Sequence, residues 1–98
     1  MSAAEIRFHP SASDEAAEAY EWYRQRSLLA AIAFRSQLDR AIALIAEAPE
    51  RPALYLHGTR RVLMRRFPYS VVYRVSDDGV EVIAVAHGRR RPGYWHGR

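Results

Sequence analysis

The segment Tyr69-Ser70-Val71-Val72-Tyr73-Arg74-Val75-Ser76-Asp77-Asp78-Gly79-Val80-Glu81-Val82-Ile83-Ala84-Val85-Ala86-His87 decides the fold. Runs 69–75 and 80–86 are rich in β-branched and aromatic residues, which suit a pleated surface. Asp78-Gly79 between them is a hairpin signal. In the first run Val71, Tyr73 and Val75 share one face, and Ser70, Val72 and Arg74 the other. In the second, Val82, Ala84 and Ala86 oppose Ile83, Val85 and His87. This run is apolar on both faces, which predicts a central strand. Upstream, Arg60 to Phe67 reads as a further strand. Pro68 ends it, because proline has no N–H to give a ladder.

Working outward, Pro49 to Thr59 reads as a loop, with prolines at 49 and 52 and a glycine at 58. Before it, Ala31, Phe34, Leu38, Ala41, Ile42 and Ile45 form an apolar stripe of helical period, stopped by Pro49. Ser27 is placed to cap that helix. An earlier helix carries Ala16, Tyr20 and Tyr23 on one face. Ser11 or Ser13 is its expected cap, and Asp14, Glu15 and Glu18 are expected near its positive end. Arg24-Gln25-Arg26-Ser27 is the polar break between the helices, which together read as an antiparallel hairpin. Ile6-Arg7-Phe8-His9 reads as a short strand. Neither helix is expected to be stable alone, so their apolar stripes need a second layer. The fold class is therefore α+β: an N-terminal strand and an α-helical hairpin packed on a mainly antiparallel β-sheet.

The 98 residues are read as one domain spanning 1–98. With 49% hydrophobic and 27% charged residues the chain has the balance of a globular protein rather than a disordered one. It has no cysteine, which removes disulfides and thiolate metal sites. Met1-Ser2-Ala3-Ala4-Glu5 lacks the basic and apolar regions of a signal peptide. Charges at Arg35, Asp39 and Arg40 interrupt the longest helix, so no membrane span is expected. The expected location is the cytoplasm.

Charge is unevenly spread. All fifteen basic residues are arginines. Residues 1–50 hold five of them against eight acids, whereas residues 51–98 hold ten against three. A one-sided basic half suggests an anionic partner, unless it is simply a solvated surface. Arginine also grips phosphate with two parallel hydrogen bonds. His9, His57, His87 and His96 lack metal-ligand spacing, and no glycine loop of the phosphate-cradling kind is present, so neither metal nor cofactor is expected.

Arg65-Arg66-Phe67-Pro68-Tyr69-Ser70-Val71-Val72-Tyr73-Arg74-Val75, followed by Ile83-Ala84-Val85-Ala86-His87-Gly88-Arg89-Arg90-Arg91-Pro92-Gly93-Tyr94-Trp95, resembles the RelE/ParE toxin superfamily. The likeness covers residues 5–96 and is nearer to the ParE branch than to RelE. It implies the toxin of a type II toxin–antitoxin module, a role tied to plasmid stabilisation and growth inhibition. The implied partners are a cognate antitoxin, which wraps the toxin in a hetero-oligomer, and DNA gyrase as the target. In RelE-like members the target is instead the ribosome, where messenger RNA is cleaved.

The resemblance also maps a ribonuclease set onto this chain. Arg61 stands at one basic position and Arg89 at the position after the last strand. The tyrosine position falls at Tyr94 or Trp95. Ser70 and Leu63 stand where further basic residues belong, which weakens the case for RNA cleavage. Chemistry agrees: such cleavage needs a proton acceptor and a donor, and arginine is a poor base. His87, Tyr94 and Tyr73 are the candidate proton carriers. The alternative for His87 is a strand-end residue that caps backbone groups or packs on Tyr94. The alternative for Tyr69 and Tyr73 is core packing rather than base stacking. Trp22 is read as core rim or antitoxin contact. The expected target-binding residues are Arg61, Arg65, His87, Arg89, Arg90 and Tyr94. In the ribonuclease reading, His87, Arg61, Arg89 and Tyr94 are the catalytic set.

Overall fold

The hairpin read from the sequence is the centre of the molecule. In the computed structural model, which describes residues 3–98, strand β3 (Tyr69–Ser76) pairs antiparallel with β4 (Gly79–His87). Met1 and Ser2, part of the stretch read for a leader, lie outside the described residues. The preceding elements are β1 (Ile6–Phe8), α1 (Pro10–Arg24), α2 (Leu28–Glu47), a single 3₁₀ turn at Leu56–Gly58, and β2 (Arg60–Leu63). The sheet order is β1-β4-β3-β2, so β4 is central, as its two apolar faces predict. β1 is parallel to β4 and the other pairings are antiparallel.

The turn runs through Asp77 and Asp78, with Ser76 opposite Gly79. Gly79 carries φ 112°, and a Cβ there would stand 2.8 Å from the Glu5 carbonyl oxygen. Dihedral and space both demand glycine. That close approach lets Val80 N–H donate to Glu5 at 2.9 Å, which seats β1 on β4.

Four expectations need correction. First, β4 does not alternate cleanly. Tyr73 pairs with Val82 but Val72 pairs with Ala84, so Ile83 is an extra residue. A bulge of this kind shifts the side-chain phase. Val82 and Val85 consequently face the helices, while Ile83, Ala84 and Ala86 face the other way. Second, the run 60–67 is paired only to Leu63. Arg66 takes φ 70°, Met64 is buried, and Phe67 turns into the helix-facing core. Burial of Met64 and Phe67 outweighs further ladder bonds, and Pro68 has none to give. Third, α1 starts earlier than expected. Pro10 is its first residue and His9 is its cap, with Nδ1 accepting from Ser11 N–H at 3.1 Å. Neither Ser11 nor Ser13 caps it. Proline suits this position because its missing N–H would be unpaired anyway. Fourth, Asp14, Glu15 and Glu18 consequently fall beyond the first turn, where the helix dipole fades.

α2 follows the sequence reading. Ser27 Oγ accepts from Ala30 N–H at 3.2 Å. Ala31, Phe34, Leu38, Ala41 and Ile45 are buried. The core between the hairpin and the sheet is strongly aromatic. Phe34 stacks on Tyr23 with centroids 5.4 Å apart and meets Phe67 and Tyr69 edge-on. Tyr73 is fully buried, and its hydroxyl donates to the Pro49 carbonyl at 2.6 Å. Tyr69 and Tyr73 are thus core residues. On the opposite face Val72, Ile83 and Ala84 pack under Trp95, with Tyr55 and Tyr94 at the rim.

Candidate functional site

The tail after β4 is folded back on the sheet rather than loose. Gly88 N–H donates to the Pro68 carbonyl at 2.7 Å, and Arg90 N–H to the His87 carbonyl at 3.0 Å. His87 Nδ1 accepts from Arg89 N–H at 3.0 Å, and its ring meets Tyr69 edge-on at 5.0 Å. The strand-end capping role holds for His87, with Tyr69 in place of Tyr94 as its packing partner. Trp95 is 2% exposed and anchors the tail against the sheet.

The second anchor was not anticipated. Glu15 Oε1 accepts from Val85 N–H at 3.1 Å and from Arg98 at 2.8 Å. Its Oε2 accepts from the Tyr94 hydroxyl at 2.6 Å and from Arg98 at 3.1 Å. Arg98 also donates to the Ile83 carbonyl at 3.0 Å. One carboxylate of α1 thereby ties together β4 and the tail. Burial, reinforced by the hydrogen bond to Glu15, pushes the Tyr94 phenol well above its usual range. The hydrogen bond to Glu15 likewise raises Arg98. The sequence holds a faint signal for this hub: Glu15 lies three residues after Ala12 and four before Ala19, both buried. A carboxylate on an alanine face is a candidate for burial, and burial demands partners.

Two concavities flank the tail. A groove of about 730 Å³ lies between α1 and the end of β4, with Trp22, Tyr69, Val85, His87, Arg89 and Arg90 among its walls. A small cavity of about 80 Å³ on the other face brings together Arg61, Ser70, His87, Arg90 and Tyr94. Arg61 lies 4.1 Å over the Tyr55 ring and Arg90 lies 3.8 Å over Tyr94. His87, Arg90 and Tyr94 line both concavities, Arg89 only the groove, and Arg61 only the cavity. Arg65 lines neither: it sits exposed in the link after β2.

Among the described residues the paired arginines are Arg24, Arg35, Arg51, Arg74 and Arg98. Arg61, Arg65, Arg89, Arg90 and Arg91 are exposed with no carboxylate in reach. Their stacking on Tyr55 and Tyr94 holds two of them in place without neutralising them. The chemistry on offer is anion recognition. Of the three candidate proton carriers, Tyr73 is buried away from the site, Tyr94 is committed to Glu15, and His87 Nδ1 to the backbone. Among the described residues no group of three His, Asp or Glu side chains is placed to hold a metal ion. No helix among them is long and apolar enough to cross a membrane.

Comparison with known proteins follows the same line. The family described as ParE toxin of the type II toxin–antitoxin system, parDE, matches residues 6–92. The protein Toxin ParE2 of Mycobacterium tuberculosis is 31% identical over 96 residues, covering 89% of this chain and 84% of its own, in strains CDC 1551 / Oshkosh and H37Rv alike. A solved structure described as the chromosomal ParDE TA system from P. aeruginosa superposes with a TM-score of 0.72 at 14% identity. It covers 86% of this chain and 95% of that one, and it shows the shared α+β fold. The chain belongs to the ParE toxin family of type II toxin–antitoxin systems, the ParE branch of the RelE/ParE superfamily.

Proposed function

We propose that this ParE-family protein arrests growth by binding, without bond-breaking chemistry of its own. Its target is a nucleic-acid-processing machine such as DNA gyrase, in the cytoplasm. A cognate antitoxin neutralises it in a hetero-oligomer. The observation that carries this reading is the run Arg89-Arg90-Arg91, exposed and unpaired at the end of β4. It is held on a tail fixed by Trp95 and Glu15. A fixed cluster of guanidinium groups loses little freedom on meeting an anionic partner and steers its approach.

Expression of the chain by itself tests this. The expected result is growth arrest with DNA breaks and SOS induction, abolished when Arg89, Arg90 and Arg91 are each changed to Glu. Inhibition of gyrase supercoiling by the purified protein should follow the same pattern. Healthy cells would leave a binding module without toxicity.

One observation favours a second reading, ribosome-dependent cleavage of messenger RNA. Arg61, His87 and Tyr94 line a single small cavity. There His87 would carry the proton while Arg61 holds the phosphate; Arg89, the other phosphate-binding candidate of this reading, lines only the neighbouring groove. Ser70, in the same cavity, supplies no positive charge. Rapid loss of translation with cuts in the ribosomal A site, abolished by His87→Ala, would establish this reading in place of the first.

A further inference from the structure

The tail closes onto the Leu56–Gly58 turn through a row of rings. The imidazoles of His57 and His96 lie nearly parallel, tilted by 11°, with centroids 3.8 Å apart. His57 meets Trp95 edge-on at 5.9 Å, and Trp95 lies 6.2 Å from Tyr55. Trp95 is buried and Tyr55 half-buried, but both histidines are exposed. Packing therefore accounts for the inner two rings and not for the outer two. His57 also holds φ 58°, a left-handed backbone that is uncommon outside glycine. Such strain collects at ligand sites. Here it holds an exposed ring flat against a second one.

Guanidinium groups border this row. Arg61 stands opposite Val72 in the β2–β3 register, so its side chain rises from the sheet face that Trp95 covers. It lies flat over the Tyr55 ring, as Arg90 does over Tyr94. Arg61, Arg90 and Arg91 share the cavity of about 80 Å³ with Tyr55 and Trp95. All three are exposed, and none meets a carboxylate. The acids of the basic half, Asp77, Asp78 and Glu81, sit in or beside the β3–β4 turn, at the opposite end of β4 from the tail. Open ring faces and unneutralised positive charge thus lie side by side.

We infer that this outer face of the sheet binds single-stranded nucleic acid, with a base stacked on the His57–His96 pair and the adjoining phosphates held by Arg61, Arg90 and Arg91. Every base has a flat face, so a ring platform takes a strand without reading its sequence. Arginine adds two parallel hydrogen bonds to each phosphate. A duplex keeps its base faces inside its own stack, so the ligand is a single strand. No 2′-hydroxyl is needed, and a deoxyribose strand fits the same chemistry as a ribose one. The inference goes beyond the proposed function, which gives the arginines a protein target and the two histidines no role. It rests on that reading only for the source of the strand, an opened stretch of nucleic acid at the target machine.

Fluorescence anisotropy of labelled oligo-dT and oligo-U with the intact protein tests it, and the tighter of the two names the sugar. Affinity should fall with salt on a log–log slope of about −2, as roughly three phosphate contacts on a single strand require. An abasic strand of equal length should bind roughly tenfold more weakly, since it keeps the phosphates and loses the stacking. His57→Gly and His96→Ala should each cost a similar factor. Glycine suits the left-handed backbone at 57, so that variant keeps the turn. His96→Tyr should restore binding, because it returns a flat ring. Thermal melting shows that each variant folds. No binding of either strand at low salt would overturn the inference. So would an abasic strand, His57→Gly and His96→Ala all binding as the parent pair does, which would leave only a polyanion surface. Growth arrest is read separately. Arrest by a parent chain that binds no strand would sink this inference and leave the proposed function standing. Strand binding by a parent chain that leaves cells healthy would do the reverse.

Discussion

Arg98 grips Glu15 across 83 positions of chain, with its nearer nitrogen 2.8 Å from Oε1 and a second nitrogen 3.1 Å from Oε2. Both side chains are mostly buried, at 20% and 14% exposure. Their pair fixes the tail that bears the arginine run. A two-point guanidinium–carboxylate contact is directional as well as strong. The tail is thus held at a set angle to β4 and not merely near it.

Glu15→Gln should lower unfolding stability by roughly 1.5–3 kcal/mol, the scale of a hydrogen bond to a charged partner. Glu21→Gln breaks an exposed pair with Arg24 at 2.6 Å and should leave the denaturation midpoint within error. Equal losses in the two variants would show that Glu15 is no hub.

Tyr94 sets a pH dependence. Its phenol is raised above the ordinary value of 10.0 in the folded chain, by burial first and by Glu15 second. Once pH passes the unfolded value, the unfolded chain releases this proton while the folded chain keeps it. Stability should therefore be full below about pH 10 and fall as pH rises above it. Tyr23, Tyr69 and Tyr73 are raised by burial and add to the same slope. Tyr94→Phe should flatten that slope while lowering stability at neutral pH. Denaturant midpoints between neutral and alkaline pH measure both effects.

Two glycines should respond differently to alanine. Gly79 has φ 112° and would put a Cβ 2.8 Å from backbone oxygen. Gly79→Ala should cost more than about 3 kcal/mol, because strain and clash add. Gly58 has φ 72° but nothing within 4 Å of its added Cβ. Gly58→Ala should cost only the dihedral, roughly 1–2 kcal/mol. Thermal melts of both variants decide it.

Trp95→Ala should remove roughly 3–5 kcal/mol of stability, as expected for a buried indole. Trypsin should then cut at Arg89 to Arg91 faster than in the parent. Growth arrest should weaken even at temperatures where the variant stays folded, because a loose tail no longer presents its arginines together.

Much of this molecule is written in local pattern. The β3–β4 hairpin follows from Tyr69–Val75 and Val80–Ala86 around a glycine turn, and α2 from its stripe between Ser27 and Pro49. Alternation and helical period depend on neighbours a few positions away, so a single chain displays them. The bulge at Ile83 was hidden because an extra residue in an all-apolar strand leaves the pattern apolar. His9 as a cap was hidden because serine is the commoner choice.

The site was legible by residue type and not by arrangement. An excess of unpaired arginine after residue 51 and its place beside His87 and Tyr94 are properties of composition and order. Which arginines stay free is not. Arg98 is neutralised by Glu15 and Arg74 by Glu81, while Arg65 lies exposed in the link after β2 and lines neither concavity. Partners distant in sequence meet only when the sheet and the hairpin close on each other. The sequence alone determined the elements and the surplus of positive charge. Tertiary packing decided where that charge stands, because an ion pair or a buried carboxylate depends on distance in space and not along the chain.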